Sequence, residues 1–365
     1  MLTNGTFFLP GPTEVRPEIL QELTRPMLPH RGAAFEAIYA RCDAGLRTIF
    51  RTSRPVYIAS ASATGLMEGA IRCAPSGTVL SLVNGAFSER FADVAVSCGR
   101  AVVRDVVALG MHHTAERVAA LLESSGARIV TLTHSETSTG AMNDIERIAR
   151  VVHAAGAVIL VDSVTGLAGA RLETDEWELD FVFTGSQKAL ALPPGLALGV
   201  ASSSFIAAAA KNTDRGTYFD LVEFEKYAIR NQTPNTPAIS LFYALAAQVE
   251  AIGVEGLEAR WTRHLAMQAA TVTWAEQLGR DMHPAFGILA PASGRSPTVS
   301  CITLPKNLQG STVAAAISEM GYVIGAGYGA LRDRTIRIGH MGDHTLTGLS
   351  DCLTTVQGAL QTMLM

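Results

Sequence analysis

The stretch FVFTGSQKALALPPGLALGVA, residues 181–201, decides how this chain is read, because Lys188 is its only charged side chain. An ammonium set among apolar residues is costly to keep charged, so burial lowers its pKa and makes a neutral, nucleophilic amine accessible. Such an amine is what Schiff-base chemistry with a carbonyl compound requires. Gly185 on one side and Pro193-Pro194-Gly195 on the other bracket the lysine with turn formers, and apolar runs flank both. The alternative is a solvated lysine on a surface loop.

Upstream, Ala157-Val158-Ile159-Leu160-Val161 is a continuous apolar run, the pattern of a strand buried on both faces of a parallel sheet. It ends on Asp162-Ser163. Ligands of open α/β sheets gather outside the carboxyl ends of the strands, which aims Asp162 at a site; a helix cap is its other reading. A carboxylate and a lysine at the ends of adjacent strands match the needs of pyridoxal phosphate. The lysine bonds the cofactor's aldehyde carbon, and the aspartate keeps the pyridine nitrogen protonated so that the ring accepts electrons.

With this spacing, VDSVTGLAG (161–169) and GSQKALALPPG (185–195) resemble the class V aminotransferases of the fold-type I pyridoxal-phosphate superfamily. So do FLPGPTEVRPEIL (8–20), PHRGAAFEAIY (29–39), SASATGLMEGAI (60–71), VNGAFSERF (83–91), HSETSTG (134–140), TPNTPAISLFYAL (233–245) and IRIGHMG (336–342). Each segment alone is weakly specific. Their common order over most of the chain carries the resemblance.

The chain as a whole has 365 residues, 48% of them hydrophobic, and a net charge of −4. That describes an enzyme-sized protein of one large or two moderate domains. Its basic residues are scattered without an aromatic-basic stripe, which argues against nucleic acid. No apolar run reaches the length of a membrane span, and MLTNGTFFLPGPTEV lacks the pattern of a secretory signal. Cys42, Cys73, Cys98, Cys301 and Cys352 are odd in number and widely spaced, so they read as reduced thiols of a cytoplasmic protein without a metal site. His112-His113 reads as a solvated turn.

From about residue 56 to 202, strand-like runs alternate with helical segments: 56–59, 79–83, 101–107, 129–133, 158–162, 181–184 and 198–201. Alternation of this kind implies an α/β fold with a mostly parallel, seven-stranded sheet and helices on both faces. Residues 236–278 read as helix. Beyond about 282 come short strands (300–304, 335–338) and helices (311–320, 345–363), a smaller α+β unit over which the N-terminus folds back. The expected division is a large cofactor-binding domain, 20–278, and a small domain made of 1–19 and 279–365.

Ser62, Ala63 and Thr64 follow a strand and open a helix, where free amides suit an anion, although an ordinary helix cap has the same look. The resemblance implies that these three residues, with Gln187, hold the cofactor phosphate, that Phe87 stacks on the pyridine and that Thr137 bonds the phenolic oxygen. It implies that Thr236 reaches the phosphate of a second subunit, hence a homodimer; a tyrosine that some relatives bring just before it is replaced here by Gln232 and Thr233. Arg337 is the implied clamp for the substrate carboxylate, with a backbone contact from Gly11, while Arg332 and Arg334 face solvent.

The activity implied is transamination of a small amino acid, alanine or serine type, with glyoxylate or pyruvate as acceptor. Transaminases for 2-aminoethylphosphonate or phosphoserine share most of the motifs. A desulfurase or other lyase is a further reading, but the loop GAGYGALRDR (325–334) has no cysteine and Phe87 stands where desulfurases carry a histidine. A non-catalytic scaffold is disfavoured by the presence of lysine, aspartate and arginine together.

Overall fold

The computed structural model describes residues 6–365. Strand β1 (Thr6–Phe8) precedes a seven-stranded sheet that begins with β2 (Tyr57–Ala59), β3 (Val79–Val83), β4 (Val102–Val106) and β5 (Ile129–Thr133). After the short hairpin β6 (Ser135–Glu136) and β7 (Ala141–Met142), the sheet continues through β8 (Val158–Asp162), β9 (Phe181–Gly185) and β10 (Ala197–Ala201). Its order is β2-β10-β9-β8-β5-β3-β4, parallel throughout except that β10 runs antiparallel to both neighbours. These are the seven strands expected from the sequence, with every end within about one residue. The continuous apolar runs have a simple cause: every residue of β3, β5, β9 and β10 is buried, so neither face of these strands alternates with solvent.

A second sheet takes β11 (Gly287–Ile288), β12 (Val299–Thr303), β13 (Tyr322–Ala326) and β14 (Thr335–Gly339), in the order β1-β13-β14-β12-β11. The N-terminal strand therefore pairs with C-terminal residues, Thr6 opposite Tyr322 and in parallel. The sequence reading places no strand at 322–326. Gly325 and the following Gly-Tyr-Gly look like a loop, and only pairing with β1 and β14 makes the segment a strand.

The boundary expected at 278/279 falls inside the helix Leu257–Asp281, whose Met267, Trp274, Ala275 and Leu278 pack into the core of the second sheet. All of the helix's clustered buried residues join this second core and none joins that of the large sheet, and no composition break in the sequence marks that choice. The solvated turn expected at His112-His113 is also corrected. His113 is buried, with its ring nitrogen 3.1 Å from Asp105 O and its amide donating to Asn143 Oδ1.

One polar cluster links the elements around the lysine turn. Arg260 is 1% exposed, and it donates through Nη1 to Glu255 Oε2 (2.7 Å) and through Nη2 to Asp343 Oδ1 and Ala189 O (both 2.8 Å). Asp343 also accepts from Arg16 Nε (2.7 Å) and Gln248 Nε2 (3.1 Å). Removing one partner from a buried charge network leaves the others desolvated and unpaired, which costs about 3–5 kcal/mol. Arg260→Ala should lose about that much stability in equilibrium urea unfolding. A loss under about 1 kcal/mol, the scale of a surface pair, would show that the cluster is solvated and peripheral.

Candidate active site

Lys188 lies in the turn after β9, and the turn is built on Ser186. The Ser186 amide donates to Leu196 O (2.9 Å), and its hydroxyl donates to Pro193 O (2.7 Å) and accepts from Leu196 N (3.2 Å). Lys188 O accepts from Ala191 N (2.8 Å) and from the Thr13 hydroxyl (3.0 Å). The backbone is thus fixed on both sides of the lysine before its side chain is considered. Lys188 is 8% exposed; its amine donates to Pro10 O and stands 5.8 Å from the centroid of the Phe87 ring. Burial, and then the nearby Arg337 guanidinium, bring its pKa down to about 8. Gly11 has φ +111°, and a Cβ there would lie 2.5 Å from Lys188 Nζ, so the close approach of this turn to the amine requires glycine.

Asp162 ends β8 and is buried. Its single side-chain hydrogen bond among the described residues is Oδ1 accepting from Val164 N (2.9 Å). Burial pushes its pKa up to about 7. Opposite it in register is Thr133, whose buried hydroxyl has no partner among the described residues.

Ser62, Ala63, Thr64, Phe87, Thr137, Asp162, Gln187 and Lys188 line one cavity of about 140 Å³. Eight expected site residues from five separate segments therefore converge. Arg337 borders this cavity from β14: its Nε donates to Ala326 O (2.9 Å) and its Nη1 to Thr137 O (3.2 Å), and Nη2 has no hydrogen-bond partner among the described residues. Arg332 and Arg334 are exposed. Thr236 is not brought to the cavity. It is exposed, in the turn before the helix Ile239–Glu255, beside Ile58, Ser60 and Tyr218.

Four further residues belong to the site. Thr165 holds the Thr137 hydroxyl at 2.5 Å. Thr133 contributes the unpaired hydroxyl. Arg90 lines the cavity with its guanidinium 5.1 Å from the Phe87 centroid, and its charge lowers the pKa of Asp162. Glu136 is fully buried and accepts from Phe87 N (3.1 Å), Ser88 N (2.9 Å), Ser88 Oγ (3.0 Å), Ser138 N (3.1 Å) and Ser138 Oγ (2.6 Å). Its charge sits at the positive end of the helix Ala86–Ser97 and fixes the backbone that carries Phe87. The signal for Glu136 was available: it is the lone acid of HSETSTG, directly after an apolar strand.

These groups fit pyridoxal phosphate. The N-terminus of the helix Ala63–Cys73 has no side-chain capping bond from Ser62, so first-turn amides are free for a phosphate. A buried carboxylate with an uncommitted oxygen, an orphaned hydroxyl and an amine of lowered pKa face the same space. Fold and donor set together define a pyridoxal-phosphate-dependent transferase.

Comparison with known proteins narrows the class. The family model "Aminotransferase class-V" matches residues 86–330. An uncharacterized aminotransferase of Methanocaldococcus jannaschii is 34% identical over 340 residues, covering 92% of this chain and 87% of that one. The L-aspartate–glyoxylate aminotransferase of Paracoccus denitrificans is 30% identical, covering 94% and 88%. The crystal structure of an alanine–glyoxylate aminotransferase from Nostoc sp. superposes with a TM-score of 0.92 at 28% identity, covering 98% and 95%. The chain belongs to the class V aminotransferases, a pyridoxal-phosphate-dependent family.

Asp162 supplies a test of the cavity's electrostatics. Its pKa is near 7 when folded and near 3.8 when unfolded, so the folded state binds the extra proton and stability falls as pH rises through that window. In cofactor-free protein, Asp162→Asn should therefore gain stability relative to the parent between about pH 4 and pH 7. Urea unfolding at pH 5 and pH 8 measures this. A relative gain that is larger at pH 5 contradicts the assignment.

Proposed function

We propose that this chain transfers the amino group of a small amino acid, of the alanine or serine type, to glyoxylate or pyruvate. The observation that carries the reading is the buried Lys188 amine, with its pKa lowered to about 8, in one cavity with Asp162 and beside Arg337. The Paracoccus and Nostoc relatives named above, both glyoxylate enzymes by name, support glyoxylate as acceptor.

Bound pyridoxal phosphate supplies an aldehyde that condenses with amines and a pyridinium ring that accepts electrons from the substrate α-carbon. Ser62, with the amides of Ala63 and Thr64 and the Gln187 side chain, holds the phosphate. Asp162, through its uncommitted oxygen, pairs with the protonated ring nitrogen, and that positive charge favours the ionised carboxylate. Phe87 covers a ring face, and Thr137, steadied by Thr165, offers its hydroxyl to the phenolic oxygen. Arg337 has its Nε and one Nη1 hydrogen committed to carbonyls, so its remaining N–H groups form the two-point pair with a substrate carboxylate. Gly11 borders the same space by backbone. Lys188 Nζ would take the substrate α-proton as general base and return it as general acid. A pKa near 8 leaves both forms accessible at neutral pH.

Thr236, exposed in its own subunit, is proposed to complete the phosphate site of a partner copy, making the protein a homodimer. Five free cysteines support a cytoplasmic setting. The desulfurase reading needs a reachable thiolate; Cys301 is buried in β12 with its thiol pushed up to about 11, and no cysteine lies in 325–334. A panel of amino donors against glyoxylate and pyruvate tests the proposal, with keto acid expected from alanine or serine. Sulfide release from cysteine without an acceptor would overturn it.

Arg337→Lys keeps the charge but loses the planar second donor. Binding of donor and acceptor acids should weaken by about 1.5–3 kcal/mol, with cofactor affinity nearly unchanged. Steady-state kinetics and a cofactor titration on the same variant separate the two effects. A fall in cofactor affinity at constant KM would place Arg337 at the phosphate instead.

A further inference from the structure

Tyr328 stands between the two groups that frame the substrate and takes part in no other structure. It opens the turn Gly329–Leu331 between β13 and β14. Its ring centroid lies 5.6 Å from that of Phe87, with the planes 30° apart, and the Arg337 guanidinium carbon lies 5.5 Å from the Tyr328 centroid. The side chain is 40% exposed, and its hydroxyl makes no hydrogen bond among the described residues. It is therefore neither a core residue nor a polar anchor of the loop. The backbone around it is tied down: Gly327 N donates to Thr335 O (2.8 Å), Leu331 N to Tyr328 O (3.1 Å), and the Thr335 hydroxyl to Leu331 O (3.1 Å).

The Lys188 amine, Phe87, Tyr328 and Arg337 thus form a continuous row of neighbours. An amino acid with its nitrogen toward Lys188 and its carboxylate on Arg337 has its α-carbon along this row. We propose that the Tyr328 ring is the wall that limits the size of the substrate side chain, admitting hydrogen, methyl or hydroxymethyl and excluding branched or aromatic groups. This rests on the reading of Arg337 as the carboxylate clamp. The wall acts by shape: its rigid ring, stacked beside the guanidinium, occupies the space a larger side chain needs. Its hydroxyl is not required.

The test compares holoenzyme of the parent, Tyr328→Phe and Tyr328→Ala, with alanine and leucine as donors and glyoxylate as acceptor. Opening the wall should raise the ratio of kcat/KM for leucine over alanine by about tenfold or more in Tyr328→Ala, the lower end of what a few methylenes decide in an apolar pocket. Tyr328→Phe should keep the parent ratio. An unchanged ratio in Tyr328→Ala, or an equal fall for both donors, overturns the proposal, as does a Tyr328→Phe variant that moves the ratio as far as Tyr328→Ala. Failure of the clamp itself would appear elsewhere, as KM values for both acids that hold in Arg337→Lys.

Discussion

Burying one amine is the constraint around which this molecule is arranged. A lysine loses hydration when it is taken into the protein, and among the described residues one carbonyl, Pro10 O, is its only hydrogen-bond partner. Its backbone is fixed from near and far: by the buried Ser186 and Ala191 within the turn, by Thr13 from the N-terminal segment, and by Arg260 from a distant helix through Ala189. The N-terminal strand pairs with β13, which pairs in turn with β14, the strand that carries Arg337. The lysine's environment is thus assembled from both sheets, which couples the site to the whole fold rather than to one loop.

The charges around the amine explain its lowered pKa and the ligand it suits. Burial is the largest influence, Arg337 adds to it, and Asp162 and Glu136 oppose it. Asp162 is itself raised by burial, so neither partner holds the other firmly as an ion. Glu136 is committed to five donors beneath Phe87, where it fixes an aromatic wall instead of neutralising the lysine. Arg90 and Arg337 remain without carboxylate partners among the described residues. A cavity lined by Arg90, with Arg337 beside its Thr137 wall, is suited to an anionic cofactor and an anionic substrate.

Much of this was legible in the sequence, for a physical reason. Strands buried on both faces are unbroken apolar runs, so β2, β3, β5, β8, β9 and β10 stand out, while the largely exposed edge strand β4 is marked by its valines, and a charge ending a buried run, as at Asp162, marks a site. Lys188 was visible by the same contrast. Features that depend on pairing with distant residues were not: β13 becomes a strand through β1, and the helix Leu257–Asp281 packs on the second core without a change of composition to announce it. Thr133, Thr165 and Arg90 lie in segments that look like ordinary strand end, turn and helix. His113 looked solvated because its partners Asp105 and Asn143 are remote in sequence. Thr236 is exposed and lies outside the cavity, so the role proposed for it needs a second chain.

The central claim, that Lys188 is the residue joined to the cofactor, has a direct test because the chain has only four lysines and the other three, Lys211, Lys226 and Lys306, are exposed. Borohydride reduction of the holoprotein, proteolysis and mass mapping of the labelled peptide would locate the bond. The account predicts a single pyridoxyl adduct on Lys188. An adduct on Lys211, Lys226 or Lys306 with Lys188 unlabelled would contradict it.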